Sequence, residues 1–351
     1  MRARRLLQLR GAHPRRRRPF RPGLPGRAGL RGKPGLVGRP DLSVDIAGLR
    51  LANPLIAASG CFGYGVEYAD LVDLAGLGAV AVKGLFLEAR EGHAPPRIVE
   101  TPSGMLNAIG LQGIGVRTFV AEKLPELKAR RAVVIVNICG STVDEYAEVA
   151  RILSDADGVA AIEINISCPN IDEGGHTFGC SLTGVRDVVR AVRAATTLPI
   201  FPKLPPNVTD VAATAVAAEE AGADAVSLVN TFLAMAIDVE TRRPRLSNVV
   251  GGLSGPAIRP IAVRMVYECR AAVRIPIIGM GGIASARDVL EFLIAGADAV
   301  QVGTANFEDP GIWPKLLAGV TDYLERHGHA AVGEVVGTVD LSARETAWIS
   351  S

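Results

Sequence analysis

From residue 53 onward, short apolar and β-branched runs recur along the chain, most of them separated by roughly 10 to 20 residues with helical periodicity. The runs cover residues 55–58, 80–83, 133–138, 161–166, 199–203, 225–230, 276–280 and 299–302. They are nearly continuous rather than alternating, which is how strands buried on both faces of a parallel sheet read. Eight strand and helix units predict an α/β fold of the TIM type, a closed (β/α)8 barrel rather than an open doubly wound sheet. Two helices carry clear boundaries: 208–221 follows Asn207 and stops at Gly222, and 286–295 follows Ser285 and stops at Gly296. The phrase Ala-Gly-Ala-Asp-Ala occurs at 221–225 and again at 295–299, each time leading a helix back into a strand as an αβ turn of the barrel's stable face. About 50 residues separate the second and third strands, including Pro95-Pro96-Arg97 and the segment 101–115, which is too long for an ordinary connection. This insertion is expected at the top of the barrel, where function sits. The organisation expected is a barrel domain over 41–328 and a C-terminal extension over 329–351.

Composition agrees with that class. A hydrophobic fraction of 48%, 39 Gly and only 5% aromatic residues suit a sheet of small side chains wrapped by alanine-rich helices. The formal charge of +2 conceals an asymmetry, because 13 of the 38 basic residues lie in the first 40 positions and the first acidic residue is Asp41. The remainder has 25 basic against 36 acidic residues, so it is strongly anionic and a poor surface for a nucleic acid. Residues 1–40 hold seven Gly and six Pro and read as a disordered basic tail or an upstream start. A transit peptide and a nucleic-acid arm are the other readings. The first lacks Ser and has Pro and Gly where an amphipathic helix is needed. No run of about 18 apolar residues occurs, so no membrane span is expected.

The five cysteines, Cys61, Cys139, Cys168, Cys180 and Cys269, are widely spaced and form no C-x-x-C pair. Neither a disulfide framework nor a zinc or iron–sulfur site within this chain is expected, no metal is assigned, and a reducing cytoplasm is the natural setting. His327 and His329 read as a solvated helix end rather than as ligands.

The chemistry of a barrel stands at the carboxyl ends of its strands, and there the sequence is unusual. Ser59, Lys83, Asn137, Asn165, Lys203 and Asn230 end the first six runs, and Gly281-Gly282 and Gly303-Thr304 follow the last two. Buried polar groups need partners, so this series points to a ligand. The glycine pairs occupy the loops where barrels bind phosphate through backbone N–H groups; the alternative is that they are tight turns. Amide side chains at 107, 137, 165 and 230 match the alternating donor and acceptor edge of a pyrimidine, and Lys83 and Lys203 add fixed positive charge. Cys168, in Asn165-Ile-Ser-Cys-Pro-Asn, follows the fourth strand and is either a reactive thiol or a structural one.

Five segments carry a family resemblance. They are Asn53-Pro-Leu-Ile-Ala-Ala-Ser-Gly-Cys-Phe-Gly, Thr101-Pro-Ser-Gly-Met-Leu-Asn-Ala-Ile-Gly-Leu, the Cys168 motif, Gly252-Leu-Ser-Gly-Pro-Ala and Ile278-Gly-Met-Gly-Gly-Ile. Together they resemble class 1 dihydroorotate dehydrogenases over about residues 42–324, most closely the NAD-linked (1B-type) catalytic subunit. The resemblance implies one FMN held by Ser59, Lys83, Gly84, Asn137, Asn165, Lys203, Val229, Gly255, Gly281, Gly282, Gly303 and Thr304. It implies dihydroorotate held by Lys83, Asn107, Ala108, Ile109, Gly110, Leu111, Asn165, Asn230 and Thr231, and it makes Cys168 the catalytic base. Residues 174–180, glycine-rich with Phe178, become a lid over the site, or else a plain loop. FAD and a 2Fe–2S cluster are implied only on a partner subunit, because this chain has no cluster ligands. Two catalytic and two electron-transfer chains would form a heterotetramer around a catalytic homodimer. Gly84 departs from the alanine common in the family, and the basic tail has no counterpart in its pattern.

The rival readings are a fumarate-linked class 1 enzyme, a dihydropyrimidine dehydrogenase-like flavoenzyme, a tRNA dihydrouridine synthase and a non-catalytic flavin-binding module. A tRNA enzyme needs a basic face and a helical domain after the barrel, and here the body is acidic with about 25 residues after the last helix.

Overall fold

The computed structural model describes residues 38–167 and 178–342. Eight parallel strands close a TIM barrel: β1 (Leu55–Ala57), β2 (Ala79–Leu85), β3 (Val134–Ile138), β4 (Val159–Asn165), β5 (Ile200–Lys203), β6 (Val226–Leu228), β7 (Ile277–Met280) and β8 (Ala299–Val302). Each pairs with its sequence neighbours and β8 returns to β1, so no edge is left open. Because strand side chains alternate, one set faces outward: Val80, Val82, Val134, Val136, Ile162, Ile164, Val226 and Val300 join the main apolar core with the surrounding helices. The inward set is split in two along the barrel axis. Its lower layer is apolar, with Ile56, Ala79, Ala81, Ile135, Ala161, Phe201, Ala225, Ile278 and Ala299, and an antiparallel hairpin of Val44–Ile46 and Leu49–Leu51 buries Ile46 and Leu51 against it. The amino-terminal end of the barrel is thereby closed.

Helices follow the strands in sequence. The longer ones are α1 (Leu124–Ala129), α2 (Val143–Ser154), α3 (Leu182–Ala195), α4 (Val211–Glu220), α5 (Arg259–Arg270), α6 (Ala286–Ala295) and α7 (Ile312–His327). Side chains of Thr142, Ser181, Asp210 and Ser285 cap α2, α3, α4 and α6 by accepting a backbone N–H of the first turn. The α4 start differs from the sequence expectation by three residues. Asp210 is the cap, while the Asn207 side chain is engaged elsewhere, its Oδ1 accepting from Leu233 N at 3.2 Å. Between β1 and β2 the expected helix is replaced by two 3-10 turns, Val66–Tyr68 and Leu74–Gly76. Gly60, Gly63 and Gly65 all run at positive φ just ahead of them, a conformation that no right-handed helix contains.

The long insertion after β2 does not act alone. Its strands Ile98–Thr101 and Gly104–Asn107 join Phe232–Met235 and Val250–Ser254, which follow β6, in one four-stranded antiparallel sheet. Val99, Leu106, Ala108 and Leu246 give this cap a small core of its own. Among the described residues, no helix is long and apolar enough to cross a membrane.

Candidate active site

Two residues above the apolar layer, the inward positions turn polar on six strands, Ala81 giving way to Lys83 on β2. Ile135 gives way to Asn137, Ala161 to Glu163 and Asn165, Phe201 to Lys203, Ala225 to Ser227 and Ala299 to Gln301. The hub of this layer is Glu163, fully buried on β4. Its Oε1 accepts from Asn137 Nδ2 at 2.7 Å and Ser59 Oγ at 3.1 Å, and its Oε2 accepts from Ser227 Oγ at 2.9 Å and Gln301 Nε2 at 2.5 Å. Lys203 Nζ lies 3.5 Å from Oε1 and donates to Ser59 Oγ at 3.1 Å. Burial alone pushes the Glu163 carboxyl up, but the Lys203 charge and the Gln301, Asn137 and Ser227 donors outweigh it and hold the group below the ordinary glutamate range. Glu163 is thus an internal carboxylate neutralised by one lysine.

Sequence reasoning found Ser59, Asn137 and Lys203 but missed Glu163, Ser227 and Gln301. The signal was present, since each is a polar residue at an inward position inside an apolar strand.

A second group stands at the barrel mouth. Asn165, in register with Lys203, accepts from Asn230 Nδ2 at 3.2 Å and from Ser167 N at 3.3 Å, and Tyr146 Oη donates to its carbonyl at 2.7 Å. Asn230 in turn accepts from Thr231 N at 2.8 Å. The Thr231 side chain abuts Gly252, and Asn107 Nδ2 donates to Gly252 O at 3.2 Å, so the cap sheet brings 107 and 231 to one place. From Asn107 the chain runs through Ala108 and Ile109, which are pinned by Arg97 and His93, and past Gly110 to Leu111 beside Phe86 and Cys139. Of the four amides, Asn165 and Asn230 bond to each other, while Asn137 turns to Glu163 and Asn107 to Gly252. Lys83 is half-buried on β2. Burial and the nearby Arg97 charge lower its pKa, with Glu67 opposing. Gly84 beside it lies close to Asn137, and a β-carbon there would stand 2.9 Å from Asn137 Oδ1 and 2.9 Å from Cys139 Sγ. The crowding gives a local reason for glycine at this position.

The glycine loops converge on the same end. Gly282 runs at φ +75°, and a β-carbon on it would fall 2.6 Å from Gly255 O. Gly281 packs on Ala262, Thr304 Oγ1 donates to Ser254 Oγ at 2.8 Å, and Gly303 faces Cys61 and Ala58. Val229 is buried, and its N–H donates to Met280 O at 3.1 Å. Cys168 and the expected lid residues 174–177 lie outside the described residues. The described chain stops at Ser167 and resumes at Phe178, where Gly179 N donates to Ile166 O at 2.9 Å and Phe178 meets Tyr146 edge to face. Both sides of that segment are therefore tied to the end of β4.

Comparison with known proteins bears on what this arrangement serves. A family model described as dihydroorotate dehydrogenase matches residues 41–324. A protein of Bacteroides thetaiotaomicron is 52% identical over 301 residues, covering 86% of this chain and 99% of its own length. A protein of Geotalea daltonii is also 52% identical, over the same shares, and one of Porphyromonas gingivalis is 54% identical over 292 residues, 83% of this chain and 95% of its own. All three are named dihydroorotate dehydrogenase B (NAD(+)), catalytic subunit. With the family model covering most of the chain and relatives aligned along nearly their whole length, the chain belongs to the dihydroorotate dehydrogenase family.

Proposed function

We propose that this protein oxidises dihydroorotate to orotate in pyrimidine biosynthesis, using one bound FMN, and that a partner subunit carries the electrons on to NAD+. The observation that carries the reading is the polar layer at the barrel mouth, in a chain whose family oxidises this substrate. Its groups suit a flavin phosphate. Gly281, Gly282 and Gly303 present backbone without side chains in the two loops, and Ser59, Asn137, Asn165 and Lys203 supply the donors and acceptors a planar heterocycle needs. Gln301 Oε1 and Ser167 Oγ are buried without a partner among the described residues, which fits a site that a ligand completes.

In this reading Ser59, Lys83, Gly84, Asn137, Asn165, Lys203, Val229, Gly255 and the two glycine loops hold FMN. Dihydroorotate lies against Lys83, the 107–111 segment, Asn165, Asn230 and Thr231. FMN supplies the hydride acceptor when bound. Cys168 as thiolate removes the C5 proton of the substrate, and Lys83, with its fixed positive charge, faces the substrate carboxylate. The cap sheet fixes Asn107 and Thr231 relative to one another, so substrate orientation is set before the proton moves. FAD and a 2Fe–2S cluster belong on the partner, in an assembly of two chains of each kind.

Anaerobic titration with dihydroorotate tests the substrate. The yellow protein should bleach stoichiometrically, and reduction by dihydrouracil instead of dihydroorotate would overturn the assignment. Cys168→Ala should retain FMN while slowing flavin reduction by about 10²–10⁴. An unchanged rate would remove Cys168 from the mechanism. Turnover with fumarate by this chain alone would favour the fumarate-linked alternative over a partner and NAD+.

A further inference from the structure

The polar layer holds two buried charges, and the register shows how they are arranged. On β4 and β5, Glu163 pairs with Phe201 and Asn165 with Lys203. The Lys203 backbone therefore stands one inward step nearer the mouth than that of Glu163, and the two charged ends meet at the Ser59 hydroxyl that follows β1. Glu163 is fully buried, and Lys203 is 5% exposed. The carboxylate is held from the β1 loop and from β3, β5, β6 and β8, which fixes its position from five directions. The Lys203 ammonium donates one hydrogen bond to Ser59 Oγ and lies in ion-pair contact with Glu163. An isolated lysine would present a monopole to whatever lies above it. A lysine with a counter-charge 3.5 Å away presents a dipole, whose field falls off more steeply.

Building on the proposed flavin chemistry, we infer that Glu163 is a positioning residue for Lys203: it holds the ammonium beside it in the polar layer and, as its buried counter-charge, limits how strongly the site favours reduced flavin. A flavin gains negative charge on reduction. An unopposed lysine would favour the reduced form more strongly, whereas the paired lysine stabilises it only in part.

The test is the midpoint potential of FMN bound to the full chain, measured by equilibration with a reference dye in the absence of substrate. Glu163→Gln removes the negative end of the dipole and should raise the reduced-to-oxidised ratio at fixed solution potential at least tenfold, about 30 mV for a two-electron couple. An unchanged or lowered potential overturns the assignment. Should this variant fail to fold or to hold FMN, the double variant Glu163→Gln with Lys203→Met removes both charges and avoids an unpaired buried ion. Its ratio should stay within tenfold of the unaltered protein's, and a larger fall would show that Lys203 acts unopposed, which also overturns the assignment. Unaltered protein that binds no FMN, or is not reduced by dihydroorotate, defeats the functional reading itself and is told apart from either result.

Discussion

At position 282 the backbone takes a left-handed turn that a side chain resists, and the carbonyl of Gly255 fills the space a β-carbon needs. Gly282→Ala should cost at least about 1–2 kcal/mol from the backbone alone, and it should loosen FMN because the loop must move to relieve the clash. Thermal unfolding with and without added FMN checks this; equal melting temperatures for variant and parent under both conditions would refute it. Glycine pairs and strand-end amides were legible because each sits where an apolar run breaks. Glu163 was not, although Ala161, Glu163 and Asn165 lie on one face at a spacing of two. A charge inside a buried strand is detectable from sequence, but its meaning depends on partners up to 138 residues away, such as Gln301. Cys168 was singled out by its motif, and its role rests on the family resemblance.

Among the elements, the barrel strands were readable because each is a compact apolar run between helical patterns. The missing helix after β1 and the late start of α4 were harder, since glycines at positive φ and competition between Asn207 and Asp210 for the capping role depend on three-dimensional neighbours. The cap sheet was the least legible element. Its central pairing joins Asn107 to Gly252, 145 residues apart, and no local pattern announces it. Leu106 and Leu246, each 2% exposed, are the largest side chains of the cap core. Leu106→Ala should cost about 2–5 kcal/mol where it packs, and since the cap core is separate from the barrel core, the damage should concentrate there. A raised KM for dihydroorotate with FMN still bound is the expected outcome, read by steady-state kinetics and flavin absorbance. An unchanged KM would detach the cap from substrate binding.

For the whole molecule, the buried carboxylate links stability to acidity. Glu163 titrates below its ordinary value of 4.5 when folded, so the unfolded chain takes up the proton first as pH falls. The stabilisation is present above pH 4.5 and is lost as pH drops through the lower folded value. Asp298 acts in the opposite sense. Burial raises its pKa above 3.8 despite Arg270, so the folded chain binds that proton more tightly and gains stability as pH falls through the interval. Urea midpoints measured down from neutral pH should decline below pH 4.5, and the decline should be shallower in Glu163→Gln. Parallel curves would mean that other carboxylates govern acid unfolding. The hairpin that seals the barrel floor bars approach from that end: whatever meets the polar layer comes from the mouth side, and of two molecules stacked there the inner one must load before the outer.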